Sequence, residues 1–142
     1  MYDTLRRLPR GNVMEVPLGI RDGSGEHGKL DGWALYYQTV HGQPQMGGFV
    51  ARLSSRLRAS YESDPIVGPI LNLSEGSPVG SSPMPCRDSL VCSVRYVVIN
   101  RATASSELQA FVDEAFSLKI IERSQDRTLY AADRVKSCSC AR

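Results

Sequence analysis

The stretch Ser93-Val-Arg-Tyr-Val-Val-Ile-Asn100 decides the fold. It is dense in β-branched and aromatic residues, and a run this apolar suits a strand buried on both faces, as in a parallel sheet. The next segment is helical. In Ala104–Phe116, ASSELQAFVDEAF, the apolar residues Leu108, Phe111, Val112, Ala115 and Phe116 recur at helical spacing. Ser105 with Leu108, or Ser106 with Gln109, brackets its start, the second pair as a capping box. Leu118–Glu122 and Thr128–Ala132 then read as two strands joined across SQDR, a terminal hairpin.

Upstream, the alternation continues. Asn12–Ile20, NVMEVPLGI, reads as a strand that Pro17 either ends or places at an unpaired position. Arg21–Gly28 is polar and glycine-rich, a loop. In Leu30–Val40, the residues Leu30, Trp33, Ala34, Tyr37 and Val40 form one helical face, with Asp31 in the first turn and Gly42 past the end. Gln45–Leu53, QMGGFVARL, reads as a second strand. SDPIVGPILNL, from Ser63, reads as a helix with Ser63 as N-cap and Pro65 in the first turn. Pro69 disturbs it. Glu75–Leu90 is a Gly-, Ser- and Pro-rich surface loop. The order β-α-β-α-β-α-β-β predicts an α/β fold: a small three-layer Rossmann-like sheet, mainly parallel, with a C-terminal antiparallel hairpin. One domain is expected over residues 11–133, with 1–10 and 134–142 as flanking tails.

Composition sets the bounds. The chain has 142 residues, 42% hydrophobic and 23% charged, as in an ordinary globular domain. Seventeen basic and fifteen acidic side chains give +2, which argues against nucleic acid as a partner. No run of 18 apolar residues occurs. Met1–Arg10 has basic residues without an apolar stretch behind them, so no secretory signal is read there. Cys86, Cys92, Cys138 and Cys140 match no zinc spacing and have no neighbouring His. They read as four free thiols, or, in an oxidising compartment, as a Cys86–Cys92 disulfide with two further thiols. No metal or cofactor is expected.

The motifs give little chemistry. Gly23-Ser-Gly25-Glu-His-Gly28 matches G-x-G-x-x-G between a strand and a helix, the setting of a dinucleotide fingerprint. The fingerprint also needs an acidic residue at the end of the second strand. QPQMGGFVARL has none, and Arg21-Asp22 separates the first glycine from its strand. The segment therefore reads as a flexible glycine loop, and His27 within it as solvated. His41, near a helix end, is either a capping or buried histidine or a base oriented by Glu15. Arg52, Arg56 and Arg58 form a basic stretch, either a solvated helix face or a contact for phosphates. Nucleophile-elbow, zincin and Walker motifs are missing.

Three stretches carry a resemblance. They are Val13-Met-Glu-Val-Pro-Leu18; Tyr36-Tyr-Gln-Thr-Val-His-Gly-Gln-Pro44 running into Gly47-Gly-Phe-Val-Ala-Arg52; and Val94-Arg-Tyr-Val-Val-Ile99, with a late Leu129-Tyr130. Together they resemble the soluble C-terminal domain that comes after the last transmembrane helix in bacterial polytopic membrane glycosyltransferases of the mannosyltransferase-like, lipid-linked-sugar type. The resemblance spans roughly residues 11 to 133, and its H-G-x-P block is the most specific part. Ser93 departs from the expected Gly. The resemblance implies that the catalytic acid lies in a membrane-embedded part this sequence lacks, so the chain alone is not catalytically active. It implies a fragment on the extracytoplasmic face of the inner membrane, partnered by the transmembrane portion of a longer protein, with glycan or lipid-phosphate contact. Glu15, Tyr37, Gln38, His41, Gly42, Pro44 and Gly48 match its pattern, either as a buried packing network, in which Glu15 pairs with Arg21 or accepts from His41, or as a glycan- or lipid-phosphate-binding set.

Two other readings stay open. One is a free-standing Rossmann-like enzyme, then cytoplasmic, with a site near Arg21, Gly25 and His41. It requires Glu15, His41 and a loop glycine around one cavity. The other is a protein-interaction module, which requires a contiguous exposed apolar patch.

Overall fold

The computed structural model describes residues 1–79 and 82–140. Residues 80–81 of the 75–90 loop, and 141–142 of the expected tail, lie outside the described residues. Among the described residues, two sheets and five α-helices make a mixed α/β structure. The helices are α1 (Tyr2–Arg7), α2 (Gly32–His41), α3 (Ser55–Ser63), α4 (Val67–Ser74) and α5 (Ser106–Ala115). The strands are β1 (Asn12–Val16), β2 (Gly19–Arg21), β3 (Glu26–Gly28), β4 (Gly48–Phe49), β5 (Val94–Asn100), β6 (Phe116–Arg123) and β7 (Arg127–Val135). The main sheet runs β1-β5-β7-β6, and a three-stranded sheet runs β3-β2-β4.

The main sheet corrects the expected topology. Only β1 and β5 pair in parallel there, while β5–β7 and β7–β6 are antiparallel. The apolar run of Ser93–Asn100 reports burial on two faces, and burial does not fix strand direction. Side chains alternate as the pleat requires. Met14, Val16, Val97 and Ile99 pack with α4 and α5 on one face. Val13, Tyr96, Val98 and Leu129 pack with α1 and α2 on the other. Helices on both faces therefore produce the continuous hydrophobic strand without an all-parallel sheet. The C-terminal hairpin is present as β6 and β7.

The expected strand over 12–20 breaks at Pro17. Its halves, β1 and β2, enter different sheets, and the Leu18 N–H donates to Ser74 Oγ at 2.9 Å across the break. The glycine loop becomes the β2–β3 hairpin. The expected strand over 45–53 shrinks to β4. Before β4, this segment hydrogen-bonds along the outer edge of β1, Val13 N to Pro44 O and Met46 N to Val13 O, each 2.8 Å. Gly47 sits at φ 75°, and a Cβ there would lie 2.5 Å from the Gly19 carbonyl oxygen, so the two segments can only pass with a glycine.

Pro69 neither kinks nor splits α4. It falls in the first turn, where a missing N–H has no helical partner to lose. Asp64, rather than Ser63, holds the turn that leads into that helix: its Oδ1 accepts from the Ile66 and Val67 amides. Its other oxygen accepts from Leu90 N at 2.7 Å, fixing the short 3-10 turn Leu90–Ser93 ahead of β5. Ser105, rather than Ser106, caps α5, accepting from Leu108 N.

The segments read as tails hold structure. In 1–10, α1 buries Tyr2 and Leu5. Gln43 clamps that helix, with Nε2 donating to the Leu5 and Leu8 carbonyls and Oε1 accepting from Gly11 N. At the other end β7 continues to Val135, and the chain beyond is tied back by two disulfides, Cys86–Cys138 and Cys92–Cys140. The expected alternatives, free thiols or a Cys86–Cys92 bridge, are both corrected. Short-range spacing suggests the nearer pair, but the Cys86 backbone lies beside Ser137–Ser139 and bonds to it at 2.9 Å on each side. The disulfides close 52- and 48-residue separations. The double variant Cys86→Ser/Cys138→Ser is expected to lose about 2–4 kcal/mol in urea unfolding. An unchanged midpoint would show that this staple contributes nothing.

Candidate functional site

The α1/α2 face of the main sheet carries a buried acid. Glu15 lies on β1 between the apolar residues Met14 and Val16 and is 5% exposed. Its Oε1 accepts from the Tyr2 hydroxyl at 3.0 Å. Tyr2 in turn stacks on Tyr37, with centroids 4.0 Å apart and planes 9° from parallel. The Arg127 guanidinium lies over the other ring of that stack, 5.4 Å from the Tyr37 centroid. Arg127 also donates to Asp31 Oδ2 at 2.9 Å, and Asp31 Oδ1 accepts from Trp33 N at 2.9 Å as the N-cap of α2. A continuous chain of contacts thus runs from the buried Glu15 to the start of α2.

Burial pushes the Glu15 carboxyl up to about 7, against the opposing pull of the Tyr2 hydrogen bond and the Arg127 charge. Burial, then the Glu15 charge, pushes the Tyr2 hydroxyl far up as well. His41 is also buried, which lowers its pKa. Its Nδ1 accepts from Gln43 N at 2.9 Å, which places its proton on Nε2, a buried atom with no hydrogen-bond partner. It stacks against Tyr2 at 5.9 Å.

The residues singled out from sequence are therefore only partly brought together. Glu15 and Tyr37 join through Tyr2, and His41 reaches the same ring. Gln38 donates to the Gln43 carbonyl at 3.4 Å, helping shape the turn after α2. Arg21 is exposed at the end of β2, and Gly48 lies in β4 against Leu35. Glu15 pairs with neither Arg21 nor His41; its partner is the Tyr2 hydroxyl. The glycine-loop amides are committed too: Ser24 N and Gly25 N both donate to Asp22 Oδ1, and Leu53 N donates to Oδ2. These bonds hold Asp22 down to about 2. His27 is not solvated but packed between Glu62, 3.3 Å away, and Glu75, 3.8 Å away. The cavity demanded by a free-standing enzyme, with Glu15, His41 and a loop glycine together, does not form among the described residues.

A different opening lies beside this network. A cavity of about 430 Å³ sits past the C-terminal ends of β1 and β5, lined by Pro17, Lys29, Trp33, Asn100, Asp126 and Arg127 among others. The crevice beyond the carboxyl ends of parallel strands is a common ligand position. A larger groove of about 610 Å³ beside the disulfides carries Arg95, Asp133, Arg134 and Lys136 but none of Glu15, Arg21, Tyr37, Gln38, His41 and Gly48. Sequence reasoning misses Tyr2, Asp31, Arg127 and Trp33 as site residues. Tyr2 sits in a supposed tail, and Arg127 in a supposed turn. Trp33 counts toward the apolar face of a helix, yet it is 63% exposed. The face α2 buries is Ala34, Tyr37, Gln38 and His41, spaced i, i+3, i+4, i+7, which turns Trp33 outward.

No protein-family model, curated protein or solved structure matches this chain. Among the described residues, no three His, Cys, Asp or Glu side chains gather into a metal-holding group, and no helix is long and apolar enough to cross a membrane.

The Glu15 network gives a pH dependence of known sign. An unfolded glutamate titrates near ~4.3. With its folded value raised to about 7, Glu15 contributes stability that is present below pH ~4.3 and lost as pH rises toward 7. His41 works oppositely: its lowered value makes its contribution present above ~6.5 and lost as pH falls. Glu15→Gln isolates the first effect. Between pH 4.5 and 7.5 the variant is expected to gain roughly 3 kcal/mol relative to the wild type in parallel chemical denaturation. Two stability curves that run parallel across this range would show that Glu15 is not buried as described.

Proposed function

We propose that this chain is a non-catalytic, extracytoplasmic accessory domain of a bacterial membrane glycosyltransferase-like protein, partnered by the membrane-spanning portion of that longer protein. The observation that carries the reading is the pairing of all four cysteines in two disulfides. Disulfides that staple a domain persist in oxidising compartments and are rare in the bacterial cytosol. The resemblance of the E-x-P, Y-Q-x-x-H-G-x-P and V-R-Y-V-V segments supports the same side of the membrane.

The non-catalytic part rests on where the candidate groups sit. A general acid or base must reach the proton it moves. Glu15 is sealed beneath the Tyr2–Tyr37 stack, and His41 is buried with its Nδ1 committed to a backbone amide. Both build the face between the sheet and α1–α2. The domain would then present surface to a glycan or a lipid phosphate while reaction chemistry belongs to the membrane part.

Protease treatment of spheroplasts of the producing bacterium tests this reading. External protease is expected to remove the domain's epitope from intact spheroplasts, and maleimide labelling under denaturing, non-reducing conditions is expected to find no free thiol in it. Cleavage only after lysis, with free thiols at Cys86 and Cys138, would overturn it.

A further inference from the structure

We propose that the cavity at the N-terminus of α2 is a carbohydrate subsite that takes a neutral hexopyranose, with Trp33 as its stacking platform. It deepens the accessory-domain reading, on which it rests for the source of the sugar. The site itself is argued from the cavity's own chemistry.

Three observations define the ligand. The first is size and place. About 430 Å³ falls within the ~300–1,000 Å³ range of small-molecule clefts, and the opening lies past the ends of the one parallel pair, β1 and β5. The second is Trp33. A tryptophan with 63% exposure costs hydrophobic free energy unless something covers it. Its backbone is fixed at the capped start of α2, and its ring rests edge-on to Tyr36 at 6.0 Å and tilted against Tyr37 at 6.2 Å. A held aromatic face suits the flat C–H face of a pyranose, whose weakly positive hydrogens meet the negative ring face.

The third is charge. The cavity wall carries two cations, Lys29 and Arg127, and two anions, Asp31 and Asp126. These cancel. A phosphate would meet two carboxylates along with its cations, and Arg127 is already paired with Asp31 at 2.9 Å. A wall of mixed donors and acceptors instead matches hydroxyl groups, each of which donates and accepts. Asn100, 8% exposed, adds a further polar wall.

Trp33 is the single tryptophan of the chain, so its fluorescence reports on the site directly. The purified domain is titrated with methyl α-glucopyranoside, methyl α-mannopyranoside and methyl β-galactopyranoside, and separately with inorganic phosphate. At least one hexoside is expected to give a saturable change in Trp33 emission, and phosphate none. Calorimetry then compares variants: Trp33→Ala is expected to bind that hexoside about tenfold more weakly. Asp126→Ala, an exposed position, is expected to weaken it about fivefold. Trp33→Tyr retains binding, and Arg56→Ala, on exposed α3, leaves it unchanged. Absence of a saturable signal with all three hexosides would overturn the proposal. So would a signal with phosphate alone, or a folded Trp33→Ala variant that binds as well as the wild type. Failure here leaves the spheroplast result standing, and failure there leaves this one, so the two readings fall separately.

Discussion

A carboxyl group buried in the face of a β-sheet constrains the rest of this molecule. Glu15 lies on a strand whose neighbours in sequence enter the core, so the pleat turns it into the space beneath α1 and α2. Burying a carboxyl without a partner costs several kcal/mol. Tyr2 provides the partner, and Tyr2 can do so only if α1 lies across the sheet. Gln43 holds α1 there, and His41 and Tyr37 flank the tyrosine. From Tyr37 the chain of contacts reaches Arg127 and Asp31, and so the cap of α2. The placement of Trp33 at the surface therefore depends, through that helix, on an acid buried deeper in the fold. Strand β1 positions Glu15, Glu15 selects Tyr2, and the Tyr2–Tyr37 stack sets the roll of α2.

Much of this is legible in the sequence, and the failures have physical causes. Val94–Asn100 is recognisable as a doubly buried strand, and Leu108–Ala115 as the helix that covers it, because both patterns arise from burial; Phe116, counted in the same apolar stripe, instead opens β6. Direction is not recognisable. Whether β7 lies parallel or antiparallel to β5 depends on the connection between them, and the β6–β7 pairing is readable only because a hairpin is local. The Cys86–Cys138 and Cys92–Cys140 pairs join residues far apart in sequence, which spacing cannot reveal. Pro17 is visible as a break but not as the point where the chain leaves the main sheet for the smaller one.

The candidate site shows the same division. Glu15, Tyr37 and His41 stand out in the sequence and do converge on one ring, that of Tyr2. Their convergence is structural, whereas the open cavity is built from Trp33, Asp126, Lys29 and Arg127, which no motif marks. The G-x-G-x-x-G segment is the converse case. Its spacing suggests a phosphate cradle, but Asp22 takes the amides that a phosphate would need, which a spacing rule cannot register. The two disulfides and the sealed acid both belong to what holds the domain together: the staples tie down its C-terminal end, and Glu15 is committed to the packing of α1.

The titration of the Glu15 side-chain carboxyl, followed by carbon-detected NMR on selectively labelled protein, tests the central constraint most directly. Its midpoint is expected at about 7, and higher still in Tyr2→Phe, because the tyrosine hydrogen bond favours the charged form. A midpoint near the ordinary ~4.3, unchanged by Tyr2→Phe, would contradict the burial of Glu15 beneath α1 and with it the arrangement of that face.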